Sequence, residues 1–354
     1  MSGISVCMIA KNEENKIERC LKSLEKYGFE IVIVDTGSTD RTKEIAARYT
    51  SKIYDFKWIE DFSAARNFSL EKAGNNWIFM MDCDEWIESI DMEELQYFQK
   101  HLPDAAGSVT RRNITGTKEH PGESFDHTER FFNRKRYHYT GRIHEQLTPK
   151  FEKTFETFLL NTAIGHDGYQ MSPKERNEKA ERNIHLLKME LADTPDSPYL
   201  YYQLGKGYDI IENYEESVLC YEQVLKYDLD FSLVYVQALV IAYGEALLET
   251  KQFEKAADLK RYSDVLSDSA DYLYLLGMID MNNKRYDEAL NCFEKALNTP
   301  LSNKAGTNSY LPCYEIGKIL TMISEWKLAR NYFMECGDYK PAQKAIEMLD
   351  RNQL

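Results

Sequence analysis

The sequence predicts two unlike units, a mostly parallel α/β sheet domain followed by an all-α solenoid of helical hairpins. Three observations carry this. Over the first half, short runs of β-branched and other apolar residues alternate with amphipathic helical segments. Polar clusters stand directly behind three of those runs, at residues 11–13, 35–40 and 82–85. Over the second half, a small residue recurs at a fixed distance behind a glycine.

Residues 4–10, Ile-Ser-Val-Cys-Met-Ile-Ala, read as a buried strand, and Ile17, Leu21 and Leu24 behind it share one face of a helix. Residues 31–34, Ile-Val-Ile-Val, form a second buried strand closed by Asp35-Thr36-Gly37-Ser38-Thr39-Asp40, with a helix over 42–49. Ile53 and Tyr54 begin a short third strand, residues 62–73 a helix, and residues 77–81 a fourth strand. Strands and helices in this order build a parallel sheet covered on both faces. Ligands of such sheets bind beyond the carboxyl ends of the strands, where the polar clusters stand.

Each cluster has a chemical reading and a plainer one. A strand tip sets alternate side chains on one side, so Asp82 and Asp84 can converge on a divalent cation, with other positions left to water and phosphate oxygens. The same Asp-x-Asp suits an ordinary strand-end turn. Asp35 can accept from a nucleobase imide or a ribose hydroxyl, while Gly37 allows the tight turn and Ser38 or Thr39 caps the next helix. A capped turn without a ligand has the same sequence. Arg66 can offer its planar fork to a diphosphate, although an arginine there also suits a helix surface.

Length and charge narrow the classes. The 354 residues accommodate two domains, divided here as 1–170, a linker helix over 171–197, and 198–354. A formal net charge of −14, with no Lys/Arg run interleaved with aromatics, argues against a nucleic-acid partner. The seven cysteines are dispersed without a Cys-x-x-Cys pair, which predicts neither a disulfide framework nor a zinc knuckle and suits a reducing cytoplasm. The apolar run 4–10 is too short for a signal peptide core, and no stretch approaches the ~20 residues that span a bilayer. A cytoplasmic protein without a membrane span is expected.

In the second half, a helix over 175–191 sets Ile184, Leu187 and Leu191 on one side, and Pro195 and Pro198 then break the chain. Gly205, Gly244, Gly277 and Gly317 are each followed twelve residues later by Ser217, Ala256, Ala289 and Ala329. Tyr214, Phe253, Tyr286 and Trp326 precede those small residues by three. This is tetratricopeptide spacing, with small residues where the two helices of a hairpin cross. Intervals of 39, 33 and 40 residues mark four degenerate repeats, the last two with less regular flanks.

Taken in order, Ser5-Val6-Cys7-Met8-Ile9-Ala10-Lys11-Asn12-Glu13, Ile33-Val34-Asp35-Thr36-Gly37-Ser38-Thr39-Asp40, Ala65-Arg66-Asn67 and Met81-Asp82-Cys83-Asp84-Glu85 resemble the successive motifs of family 2 glycosyltransferases with the GT-A (Rossmann-like) fold. That resemblance implies an inverting transferase with a nucleotide-sugar donor and Mn²⁺ or Mg²⁺. It implies a donor site made of Ala10, Asn12, Glu13, Asp35, Ser38, Arg66, Asp82 and Cys83, with Asp35 on the uracil or ribose. Asp84 is the expected direct metal ligand and Asp82 the ribose or outer contact, with the Cys83 side chain turned into the fold. His166 is similar to the late histidine that completes the metal shell. Inversion requires a base at the acceptor. Tyr139-Thr140-Gly141-Arg142-Ile143-His144-Glu145 is similar to a Tyr/Thr-x-Gly-x-x-His-Glu segment of a bacterial subgroup, which implies Glu145 as base and His144 as an adjacent binding group. Alternatively, Glu145 braces Arg130 or Arg142, and Asp167 serves as base or ligand.

A GT-A unit followed by tetratricopeptide repeats resembles the sublancin-type peptide S-/O-glycosyltransferases. This implies a UDP-glucose or UDP-N-acetylglucosamine donor and a Cys or Ser of a bacteriocin (glycocin) precursor or other protein as acceptor, bound partly by the repeats. The sequence departs from that type in starting its first strand without a long extension and in reading Asp-Cys-Asp-Glu at the metal motif, which leaves the acceptor open. The repeats also offer a surface for a homodimer. Two other readings stand beside this one: a transferase acting on a cell-envelope glycan, and a repeat scaffold with an inactive first half. The intact set Asp35, Arg66, Asp82, Asp84 and Glu145 speaks against the scaffold.

Overall fold

The computed structural model describes residues 3–116, 121–151, 156–167 and 172–352. The chain divides into two compact units, Met1–Asp193 and Thr194–Leu354.

The first unit opens with β1 (Ile4–Ala10), α1 (Ile17–Leu24), β2 (Glu30–Asp35), α2 (Thr42–Ala46), β3 (Ile53–Asp55), α3 (Phe62–Lys72) and β4 (Trp77–Met80). The apolar runs become strands because both faces of the sheet are covered. Along β1, Ile4, Val6, Met8 and Ala10 join one core cluster with Ile17 and Leu21, whereas Cys7 joins a second with Val32, Ile78 and Leu70. There follow β5 (Glu85–Ser89), α4 (Met92–His101), β6 (Ala106–Gly116), β7 (Pro121–Asn133), β8 (Tyr137–Thr140), β9 (Gln146–Pro149), β10 (Thr157–His166) and α5 (Pro173–Asp193).

The eight-stranded sheet runs β3-β2-β1-β4-β7-β6-β10-β5. Its first four strands are parallel, as the alternation of strands and helices predicts. Beyond β4 it is mixed: β7 pairs antiparallel with β4 and β6, and β5 antiparallel with β10, while β6 and β10 run parallel. The reason is local, since β6 ends at Gly116 and β7 begins at Pro121, too few residues apart for the crossover that a parallel return needs. Strands β8 and β9 form a separate ribbon whose connecting residues include His144 and Glu145.

Helix α5, anticipated as part of a linker, belongs to the first unit. The Arg142 backbone N–H donates to Glu190 Oε2 at 2.9 Å, and its guanidinium reaches Asp193 Oδ2 at 2.8 Å.

In the second unit Pro198–Ile210 pairs with Tyr214–Val224, Ala270–Asn282 with Tyr286–Leu297, and Tyr310–Met322 with Trp326–Glu335. Ser217, Ala256, Ala289 and Ala329 are fully buried. A Cβ at Gly205, Gly277 or Gly317 would stand 2.5, 2.4 or 2.5 Å from the ring of Tyr221, Phe293 or Phe333, so the glycine period records where an aromatic of the second helix lies against the first. The irregular hairpin is the second, not the last two. Behind Val234–Glu249 the chain makes only Phe253–Ala257, a 3-10 turn over Asp258–Tyr262 and Ser263–Leu266. The Tyr272 hydroxyl donates to the Leu259 carbonyl at 2.8 Å, engaging a carbonyl within the 3-10 stretch.

Candidate active site

The carboxyl ends of β1, β2 and β4 lie side by side, because Ala10 pairs with Asp35 and Cys7 with Met80. Beyond them opens a cleft of about 670 Å³ whose walls include Ala10, Glu13, Lys16, Asp82, Asp84 and His166, with Lys179 and Arg182 supplied by α5.

At the end of β2, Asp35 is almost fully buried. Its Oδ1 accepts from the backbone N–H groups of Gly37 and Ser38 at 3.0 and 2.9 Å, which holds the turn, while its Oδ2 is buried without a hydrogen-bond partner. Gly37 has φ +109°, a conformation that favours glycine. Asn12 and Ser38 tie the β1 and β2 ends to each other. The Asn12 N–H donates to Ser38 Oγ at 2.9 Å, and Asn12 Oδ1 accepts from the Thr39 N–H at 2.8 Å. Asn12 sits at φ 56°, which asparagine tolerates better than most side chains. Ala10 contributes its carbonyl to the Thr36 N–H at 2.9 Å. Glu13 faces the cleft, and burial pushes its carboxyl up to about 7, with the nearby Lys16 working the other way.

Asp82 and Asp84 part company. Asp82 Oδ1 accepts from Arg66 Nη2 and its Oδ2 from Arg130 Nη2, both at 2.9 Å. Burial opposes its charge, but the two guanidinium groups hold its carboxyl well below the usual range. Arg130 also donates to fully buried Glu85, which caps the turn by accepting from the Asp82 N–H at 2.9 Å. Asp84 turns the other way: its Oδ2 lies 3.6 Å from His166 Nε2 and 3.7 Å from Lys16 Nζ. Convergence of Asp82 and Asp84 on one ion is therefore absent, because guanidinium groups engage both oxygens of Asp82. Among the described residues no three His, Cys, Asp or Glu side chains form a ready cation cluster. Asp84 and His166 fit a divalent cation as a carboxylate–imidazole pair that takes its remaining ligands from phosphate and water; Asp82 as it stands does not. Cys83 turns its thiol inward to the Ile9 carbonyl at 3.4 Å, as expected, leaving only its backbone for the cleft.

Arg66 is buried rather than a surface helix residue. Besides Asp82 it donates through Nε to Glu145 Oε1, and its guanidinium carbon lies 5.5 Å from the centroid of the Tyr139 ring. Glu145 therefore pairs with Arg66, not with Arg130 or Arg142. His144 is exposed in a left-handed conformation, φ 52°, on the cleft wall. Asp167 binds Arg19 at 2.6 Å and lines neither the cleft nor the pocket beside it. The following Gly168 and Tyr169 lie outside the described residues.

That second pocket, of about 370 Å³, is lined by Thr128, Arg130, Tyr139, Gln146 and again Arg66 and Glu145. Sequence reasoning missed the part played by Arg130, Lys16 and the basic residues of α5. An arginine directly before the apolar pair Phe131-Phe132 in a strand was the signal for Arg130, which is only 6% exposed.

Comparison with known proteins bears on the two units of the chain. Residues 5–162 match the model of glycosyl transferase family 2, and residues 198–231 and 270–298 match tetratricopeptide repeat models. The chain is 30% identical over 286 residues to a tetratricopeptide-repeat-containing protein of Synechococcus elongatus, covering 78% of this chain and 69% of that protein. It is 26% identical over 296 residues to the prophage-derived glycosyltransferase SunS of Bacillus subtilis, covering 79% and 68%. An uncharacterized glycosyltransferase of Rickettsia typhi is 31% identical over 105 residues, 29% of this chain and 36% of that one. Among the described residues no helix is long and apolar enough to cross a membrane. The chain belongs to glycosyl transferase family 2 and is a glycosyltransferase that carries tetratricopeptide repeats behind its transferase domain.

Proposed function

We propose that this enzyme moves a hexose or N-acetylhexosamine from a UDP-linked donor, with inversion, to a cysteine or serine side chain of a peptide or protein, in a reaction that needs Mn²⁺ or Mg²⁺. One observation carries the reading: Arg66 and Glu145 stand in the walls of both the large cleft and the smaller pocket. Inverting transfer needs a base that meets the acceptor on the face of the sugar opposite the leaving diphosphate. A carboxylate at the junction of two openings suits that task.

In this reading the donor occupies the large cleft, its diphosphate among Lys16, Lys179 and Arg182. A uracil or ribose contact to the unpartnered oxygen of Asp35, which is buried and outside the lining of that cleft, requires the turn behind β2 to uncover it. Asp84 and His166 hold the cation, which supplies Lewis-acid neutralisation of the leaving diphosphate. The acceptor side chain enters through the smaller pocket. Glu145 takes the proton of the thiol or hydroxyl as its sulfur or oxygen attacks the anomeric carbon, and the bond from that carbon to the diphosphate oxygen breaks. Arg66 keeps Glu145 and Asp82 in place.

Tetratricopeptide repeats suit protein interaction. Here they bind part of the acceptor polypeptide, and pairing of two copies is their competing use. All seven cysteines are free and buried, which agrees with work in a reducing cytoplasm.

The test incubates the full chain with Mn²⁺ and UDP-, GDP- and dTDP-sugars, with and without Cys- and Ser-containing peptides, following nucleotide release and peptide mass. The reading predicts UDP release that rises with peptide, and a peptide heavier by one sugar. Release stimulated only by cell-envelope glycans would overturn the peptide acceptor, and release from GDP- or dTDP-sugars alone would overturn the UDP donor.

A further inference from the structure

Behind Asp84 and His166 runs a chain of hydrogen bonds across three neighbouring strands. His166 closes β10 and pairs in register with Asn113 of β6. Asn113 is 2% exposed, and its Oδ1 lies 2.8 Å from His166 Nδ1. On its other side Asn113 Nδ2 donates to Asp126 Oδ2 of β7 at 3.0 Å. Arg111, two residues before Asn113 on the same face of β6, donates from Nε and Nη2 to the two oxygens of Asp126, both at 2.9 Å.

The direction of each bond follows from chemistry. A guanidinium only donates, so Asp126 is held as an acceptor. Although burial works against its charge, hydrogen bonds from Arg111 and Asn113 leave its carboxyl below the ordinary value. A carboxylate acceptor must face the NH₂ of Asn113, so Asn113 turns its carbonyl oxygen to the imidazole. That oxygen cannot donate, and Nδ1 of His166 therefore carries the hydrogen whether the ring is neutral or charged. The other nitrogen, Nε2, is the one that can take a ligand, and it lies 3.6 Å from Asp84 Oδ2.

We propose that Asn113, itself oriented by Asp126 and Arg111, is a positioning residue that locks His166 with Nδ1 protonated, so that Nε2 is the nitrogen offered to the divalent cation beside Asp84. This rests on the reading that Asp84 and His166 hold the cation. Outer partners of this kind typically contribute 10–100-fold in metal affinity, roughly the effect expected here.

The experiment uses ¹⁵N-labelled full-length protein without metal, at a pH where the imidazole is neutral, with long-range ¹H–¹⁵N correlation of His166 assigned by its loss in His166→Ala. Mn²⁺ binding in the presence of UDP is measured alongside by electron paramagnetic resonance. Wild type should show the Nδ1–H tautomer. Asn113→Leu should move the ring toward the Nε2–H form that a free imidazole prefers, and weaken Mn²⁺ about 10–100-fold. Asp126→Asn, which keeps the shape of the network, should shift the tautomer in the same direction and serves if the leucine variant does not fold. A neutral His166 with Nε2–H in wild type, or an unchanged tautomer in both variants, overturns the proposal. An Nδ1–H tautomer in a wild type whose Mn²⁺ affinity His166→Ala leaves untouched overturns the cation reading, and with it the purpose assigned to Nε2.

Discussion

Arg66 donates from Nε to Glu145 Oε1, joining residues 79 positions apart at the meeting point of two openings. The same guanidinium holds Asp82 at 2.9 Å. One arginine thus ties the proposed base to the turn that carries Asp84.

Glu145→Gln retains a carbonyl oxygen for Arg66 and loses the basic site. Its turnover should fall by at least ~100-fold while its affinity for UDP stays that of wild type. Steady-state kinetics beside calorimetric UDP titration checks this, and turnover near wild type would remove Glu145 from the role of base.

Arg66→Met removes the guanidinium from two carboxylates of which Glu145 is 12% exposed and Asp82 31% exposed at the side chain. Breaking a buried pair from one side costs about 3–5 kcal/mol, and the partly open Asp82 together with its remaining bond to Arg130 favours the lower end. The urea midpoint of the variant should fall accordingly.

Glu13 sets a pH dependence in the free protein. Burial raises its carboxyl from the ordinary value of 4.5 to about 7. The folded state thus binds its proton more tightly than the unfolded state does, and this contribution to stability is complete below pH ~4.5 and is lost as pH rises through ~7. Urea unfolding between pH 5 and 8 should show Glu13→Gln gaining on wild type as pH rises. Parallel curves would contradict it.

In the repeats, Gly277→Ala would bring a Cβ to 2.4 Å from the Phe293 ring, which is fully buried and cannot swing aside. Overpacking of this kind costs about 1–3 kcal/mol. Thermal unfolding should register the loss, while UDP affinity remains that of wild type.

The sequence made legible whatever depends on neighbours along the chain. The β-branched runs show β1 and β2, their polar tips show Asp35 and Asp84, and the glycine-to-small interval shows the hairpins, because each reflects one strand end or one helix crossing. What long-range pairing decides was not legible. Arg130 reaches Asp82 across 48 positions, and no local pattern says that Asp82 will be held by two guanidinium groups rather than turn to an ion beside Asp84. Helix α5 was hidden for a similar reason: its amphipathic pattern shows a packing face, but contacts distant in sequence, such as Arg142 with Glu190 and Asp193, assign it to the first unit. Likewise the antiparallel return of β7 onto β4 is a matter of topology, not of its residues.

The proposed donor site has its cation at Asp84. Calorimetric titration of UDP into the wild-type chain and into Asp84→Ala, each with Mn²⁺ and with EDTA, tests it most directly. UDP binding to wild type should depend on Mn²⁺ and be lost both with EDTA and in Asp84→Ala. Equal UDP affinity in all four titrations would contradict it.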